Sequence, residues 1–139
     1  MSIYLDASVL ASMLVADLNT PAALRFASGA PDCFTSVWAA AEFSSALFLR
    51  VGNNSMEPGE RSQAEAGVDR WFATRPEPAV PILEDHVMAR AMLRSCASAL
   101  RAPDALHLAV CKRLNADLAT FDRAMRQAAA EFSIVCVGL

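Results

Sequence analysis

The sequence has no CxxC pair. Its four cysteines, Cys33, Cys96, Cys111 and Cys136, stand far apart, and only two histidines, His86 and His107, accompany them. That excludes a disulfide-stapled miniprotein and leaves no paired thiols for a zinc site, so the cysteines read as small buried hydrophobes in a reducing compartment. A basic leader is missing too. The chain starts Met-Ser-Ile-Tyr-Leu-Asp, and Asp6 breaks the first apolar run, so no signal peptide is expected and the protein is placed in the cytoplasm. No uncharged apolar stretch reaches the roughly 18 residues of a membrane span. The nearest, Cys33 to Leu49, is interrupted by Glu42. An excess of positive charge is also absent, because the net charge of −3 is wrong for a protein that clings to nucleic acid over its whole surface. Any such contact is local: residues 1–85 hold five basic and eleven acidic side chains, whereas residues 86–139 hold seven and four.

What is present is enough for one folded unit. The chain has 139 residues, 55% hydrophobic and 19% charged, which suits a single domain spanning 1–139 with its own core. No repeat of 20 to 50 residues occurs. The only loop-like cluster, Val51-Gly-Asn-Asn-Ser-Met-Glu-Pro-Gly59, is too short to separate domains. Short apolar runs precede longer stretches of helical periodicity: Ile3–Leu5 before the pattern Val9, Leu10, Met13, Leu14; Cys33–Ser36 before Val37–Arg50; Val80–Leu83 before Asp85–Ala99; Leu118–Thr120 before Arg123–Ala130. Further helices fit Thr20–Ser28, Glu60–Thr74 and Pro103–Leu114, and a last strand fits Ile134–Val137. Strands alternating with helices predict an α/β fold: a three-layer α/β/α domain with a parallel sheet of four or five strands.

In an open parallel sheet, ligands bind outside the carboxyl ends of the strands. Asp6 directly follows the first strand, Asp122 follows the strand at Leu118–Thr120, and Asp104 sits in the first turn of a helix after Pro103. Taken singly, each suits a helix cap or a strand-end turn. Glu42 fits that reading poorly. It interrupts an apolar helix with no basic residue three or four positions away, and glutamate is rarely buried unpaired. Its side chain leans toward the helix N-terminus and so toward the same edge. Two carboxylates about 5 Å apart repel by roughly 3 kcal/mol at an effective dielectric of 20. Four converging acids therefore imply a bound cation or shifted pKa values, and oxygen-only donors favour Mg²⁺ or Mn²⁺ over zinc. Hydrolysis of a phosphodiester is the natural use of such a site.

The segments Ile3-Tyr4-Leu5-Asp6-Ala7-Ser8, Ser36 through Glu42, Arg101-Ala-Pro-Asp104-Ala-Leu-His-Leu-Ala109 and Leu118-Ala-Thr-Phe-Asp122-Arg123 resemble, in order and spacing, the four acidic motifs of PIN-domain nucleases, in particular the VapC-like toxins of toxin-antitoxin pairs. The resemblance covers essentially the whole chain. It implies a metal-dependent endoribonuclease with Asp6, Glu42, Asp104 and Asp122 as the catalytic, Mg²⁺- or Mn²⁺-binding acids and Thr120 close by. It also implies a homodimer held in check by a cognate antitoxin. One departure is Phe43-Ser-Ser-Ala-Leu-Phe-Leu49, where relatives often carry charge, which points to an unusually buried helix or an interface.

Arg90, Arg94, Arg101, Lys112, Arg113, Arg123 and Arg126 are candidates for phosphate contacts, Arg123 foremost because it adjoins Asp122. His107, one turn after Asp104, reads as a packed helix residue outside the site. Trp71 and Phe72 read first as core and second as a partner groove. Rival functions are a non-catalytic PIN-like module that binds RNA or protein, and a phosphatase or DNA nuclease using the same acids.

Overall fold

A computed structural model describes residues 2–29 and 32–139. Among these, three strands form one parallel sheet: β1 (Ile3–Leu5) in the centre, β2 (Cys33–Phe34) on one side and β3 (Asp117–Ala119) on the other. The register pairs Tyr4 with Phe34 and Leu118, and Ile3 with Cys33 and Asp117. Because successive strand residues point to opposite faces, Tyr4, Phe34 and Leu118 enter one core while Ile3, Leu5, Cys33 and Ala119 enter another. Both faces are therefore covered, as a parallel sheet requires.

Among the described residues, seven helices supply the cover: α1 (Ala7–Leu14), α2 (Thr20–Gly29), α3 (Val37–Gly52), α4 (Pro58–Thr74), α5 (Leu83–Ser95), α6 (Ala102–Arg113) and α7 (Arg123–Glu131). On the Tyr4 face, Ala89 and Met92 of α5, Leu108 of α6 and Ala128 of α7 close the first core. On the Leu5 face, Val9 of α1 and Ala23 of α2 close the second. A third cluster joins Leu10 of α1, Phe43 and Leu47 of α3, and Ala64 and Val68 of α4. Helix α6 is buried without a break from Asp104 to Cys111, so it is the central helix of the fold.

The expected fourth and fifth strands shrink to single bridges, Ala79 beside Ser36 and Cys136 beside Leu118. Proline accounts for the first. Pro78 and Pro81 flank Ala79 and Val80 and have no N–H to donate, so the ladder stops after Val37 N–H to Ala79 (3.0 Å) and Ala79 N–H to Thr35 (2.9 Å). Leu83, read as strand, is helical, and α5 ends at Ser95 rather than running to Ala99. Strand length accounts for the second. In three-residue β3 only Leu118 turns its polar groups to the outer edge, where it accepts from Val137 and donates to Val135 (2.9 and 2.8 Å).

The apolar run in α3 is buried on one side only. Phe43 and Leu47 are in the core, but Phe48 and Leu49 are more than 60% exposed. Phe72 packs against the third cluster and Trp71 against the second, the latter beneath the Arg75 guanidinium at 4.4 Å, so both serve the core. The cysteines form no disulfide, and burial pushes the Cys111 thiol up to about 12. No helix among the described residues is long and apolar enough to cross a membrane.

Helices α5 and α6 are locked by a buried ion pair. Asp85, fully buried, takes two hydrogen bonds from Arg113 (2.8 and 2.9 Å) and one from the Ile82 N–H (3.0 Å) that opens α5. Burial works against the charge, but the guanidinium and the amide outweigh it and hold Asp85 below the usual carboxylate range. Arg113→Ala strands that carboxylate and is expected to cost about 3–5 kcal/mol, lowering the melting temperature by roughly 10 °C. A depressed folded pKa contributes stability above the unfolded value that disappears as pH falls through the folded one. The melting-temperature gap between wild type and Arg113→Ala, followed by calorimetry, should therefore close on acidification below about pH 4.

Candidate active site

The first turn of α1 builds around Asp6. Its carboxylate caps the helix by accepting the Val9 N–H (3.1 Å), and it takes the Ser8 hydroxyl (2.7 Å) and the Thr120 hydroxyl (2.5 Å) as well. Both hydroxyls also accept an amide of the loop after β3, to which Thr120 itself belongs. Thr120 Oγ1 accepts the Asp122 N–H at 3.0 Å and Ser8 Oγ accepts the Phe121 N–H at 3.0 Å, so the turns after β1 and β3 form one polar unit. Asp122 itself caps α7 through the Met125 N–H (2.9 Å).

A cap needs no burial, yet Asp6 is only 2% exposed and no lysine or arginine bonds to it among the described residues. Burial pushes its pKa up, and the Ser8, Thr120 and Val9 donors offset this only in part. Asp104, after Pro103 in the first turn of α6, is 7% exposed and faces Arg101 at 3.3 Å. Glu42 has turned to a partner 65 residues away: its Oε2 is bonded to Nε2 of His107. His107 is 1% exposed, and its Nδ1 meets the Tyr4 hydroxyl at 2.6 Å.

His107 is the residue that sequence reasoning left out. The signal was split between two places: an unpaired glutamate in α3, and a histidine one turn beyond an acid in α6. Three of the seven basic candidates prove to be structural. Arg113 holds Asp85, Lys112 bonds the Phe132 carbonyl (2.8 Å), and Arg126 bonds the carbonyls of Thr120 (2.7 Å) and Val137 (3.5 Å). Arg123 is exposed at the start of α7 and has no bonding partner among the described residues.

The donor chemistry fits a hard divalent cation. The acids offer only oxygen, and Asp6 is a carboxylate whose charge burial disfavours and an adjacent cation would favour. As the side chains stand, no three Asp, Glu, His or Cys among the described residues form a group that could grip an ion. Asp6, Glu42, Asp104 and Asp122 are each engaged with a protein partner.

A PIN-domain family model matches residues 3–131. The chain belongs to the PIN-domain family. Solved structures of the same fold include VapC20 from Mycobacterium tuberculosis, a sarcin-ricin loop cleaving toxin, with 21% identity, 98% of both chains covered and a TM-score of 0.75. FitAcB from Neisseria gonorrhoeae shares 19% identity over 98% of this chain and 96% of its own, with a TM-score of 0.70. VapBC2 from Rickettsia felis, bound to a DNA fragment from its promoter, shares 13% over 99% and 98%, with a TM-score of 0.68. No curated protein sequence matches the chain. In this PIN domain the turns after β1 and β3 are joined by hydroxyls at Asp6, and α3 is joined to α6 by Glu42 and His107.

A raised folded pKa makes Asp6 stabilising only while it is protonated, so its contribution is full below the ordinary carboxylate pKa and is lost as pH rises through the raised value. Asp6→Asn keeps a capping oxygen and removes the charge. In metal-free protein at neutral pH it should therefore melt at or above the wild-type temperature, by about 2–4 °C if roughly 1 kcal/mol is relieved, and the difference should vanish near pH 3. A lower melting temperature across the whole range would reduce Asp6 to a structural cap.

Proposed function

We propose that this PIN domain is a metal-dependent endoribonuclease and the toxin of a toxin-antitoxin pair, acting as a single domain, 1–139, in the cytoplasm. The observation that carries the reading is Asp6, a buried carboxylate with a raised pKa and no basic side chain bonded to it, at the carboxyl edge of a parallel sheet. Asp104, Glu42 and Asp122 complete the acidic set, with Thr120 as an accessory that holds Asp6 in place. The likeness to VapC20 supports RNA as the substrate class, and the likeness to VapBC2 supports an antitoxin partner. The exposed Phe48 and Leu49 of α3 are the apolar surface that a homodimer would cover.

In this reading Asp6, Glu42, Asp104 and Asp122 hold Mg²⁺ or Mn²⁺, which when bound supplies Lewis-acid polarisation of a phosphate and activation of water. Thr120 and Ser8 fix the Asp6 carboxylate in one orientation, so little reorganisation is needed during the reaction. Arg123, beside Asp122, contributes a phosphate contact that offsets the acidic charge around it. Attack by water rather than by the 2′-hydroxyl of the RNA leaves 5′-phosphate and 3′-hydroxyl ends.

Purified protein free of antitoxin should cut single-stranded RNA with Mg²⁺ or Mn²⁺ and stop in EDTA, while Asp104→Asn folds and does not cut. Full activity in EDTA, 2′,3′-cyclic phosphate ends, or preference for DNA or a phosphate monoester in a substrate panel would each overturn the assignment. Arg123→Ala should weaken RNA binding and reduce the slope of log affinity against log salt by about 0.7, the share of one phosphate on a single strand. An unchanged slope returns Arg123 to the solvated surface.

A further inference from the structure

Four polar groups form a buried line through the centre of the molecule. Ser36, the cap of α3, accepts the Ala39 N–H at 3.0 Å and lies 2.7 Å from the Tyr4 hydroxyl; Tyr4 lies 2.6 Å from Nδ1 of His107; and Nε2 of His107 is bonded to Glu42. Ser36 and Tyr4 are fully buried, His107 is 1% exposed, and only Glu42 opens to solvent, with a quarter of its side chain accessible. The line joins three elements that sequence separates: the middle of β1, the start of α3 and the centre of α6.

Its direction follows from what each group can give. A carboxylate facing Nε2 requires a proton there, since a bare nitrogen lone pair against an anionic oxygen is repulsive. With Nε2 protonated, a neutral ring leaves Nδ1 as acceptor. The Tyr4 phenol, its pKa driven up by burial, keeps its proton to donate to that nitrogen. Ser36, whose oxygen already serves the Ala39 N–H, still has its own proton to give to Tyr4.

We infer that His107 is the positioning residue of this site: the Ser36–Tyr4–His107 line fixes the Glu42 carboxylate through Oε2 and leaves Oε1, which has no bonding partner among the described residues, for use with the other acids. This rests on the endoribonuclease reading, in which Glu42 is one of the four acids. Carboxylates that bind metals are characteristically held by such outer hydrogen bonds, whose loss weakens metal binding about 10- to 100-fold. Simple packing would ask something different of position 107. It lies between Leu106 and Leu108 on a helix buried on every side, where leucine would serve better than an imidazole.

The substitutions therefore separate the two roles. His107→Leu should fold and melt within a few degrees of wild type, bind Mn²⁺ about tenfold more weakly by calorimetry, and lower kcat for RNA with KM unchanged. His107→Gln, which retains an N–H donor, should recover part of both. Tyr4→Phe should resemble His107→Leu in Mn²⁺ affinity, because the ring is no longer held by Nδ1. Long-range ¹⁵N–¹H correlation spectra of the wild type should show a proton on Nε2. A bare Nε2, or a His107→Leu protein that binds Mn²⁺ and turns over RNA as well as wild type does, overturns the inference. If wild type itself neither binds Mn²⁺ nor cuts RNA, the endoribonuclease reading and the metal-positioning role fall together, and the spectra decide the hydrogen-bond line alone.

Discussion

A carboxylate taken out of water at the end of the central strand governs the rest of this structure. Asp6 can be buried because the turn that follows β1 gives it an amide and a hydroxyl, and because the turn after β3 gives it another hydroxyl from Thr120. Those donors come from turns 114 residues apart and must meet within hydrogen-bonding distance, which the parallel pairing of β1 with β3 arranges. Burial of an ion in partial compensation is tolerable only where the surrounding structure is already fixed. Here it is fixed by two apolar cores, one on each face of the sheet.

The second polar element is carried by the helix packed on the Tyr4 face of the sheet. Helix α6 runs through the molecule with eight consecutive buried residues, and two of them, Asp104 and His107, are ionisable. Each finds its partner on another element or just outside its own helix: Arg101 for Asp104, and Tyr4 and Glu42 for His107. At the far end Arg113 reaches Asp85, so the same helix is tied to α5 by charge as well as by apolar contact. A helix buried on all sides has little freedom to slide. Its polar residues are thereby held in register with the acids that follow the strands.

Apolar surface is distributed less evenly. Helix α3 packs Ala39, Phe43 and Leu47 into the core but leaves Phe48 outside beneath the Arg61 guanidinium of α4, and Leu49 outside on a groove of about 630 Å³ that runs past Trp38 to Glu42 and Arg101. The departure from charge in Phe43-Ser-Ser-Ala-Leu-Phe-Leu49 thus has two physical outcomes in one stretch. One face of the helix is core, and of the exposed apolar residues Leu49 borders the groove that holds Glu42.

Strand-then-helix alternation, a pattern of short-range periodicity, was readable in the chain, and so were the parallel sheet, the helices, the places of Asp6 and Asp122 just after strands, and that of Asp104 in the first turn of a helix. Sheet width was not. Whether Val80–Leu83 makes a strand depends on the N–H donors that Pro78 and Pro81 lack, and the outer edge of β3 depends on how many of its residues turn that way. Glu42 stood out because its own helix offers no partner, but nothing within four residues could name His107, since the contact is made only when α3 and α6 pack on either side of Tyr4. Arg113 and Arg126 looked like surface cations and serve as internal donors for the same reason. Local sequence sets which backbone a segment prefers and which side chains are chemically capable. Which capable groups meet is decided by the close packing of elements distant in the chain, and that is where the buried acid acquires its hydroxyls and the glutamate its histidine.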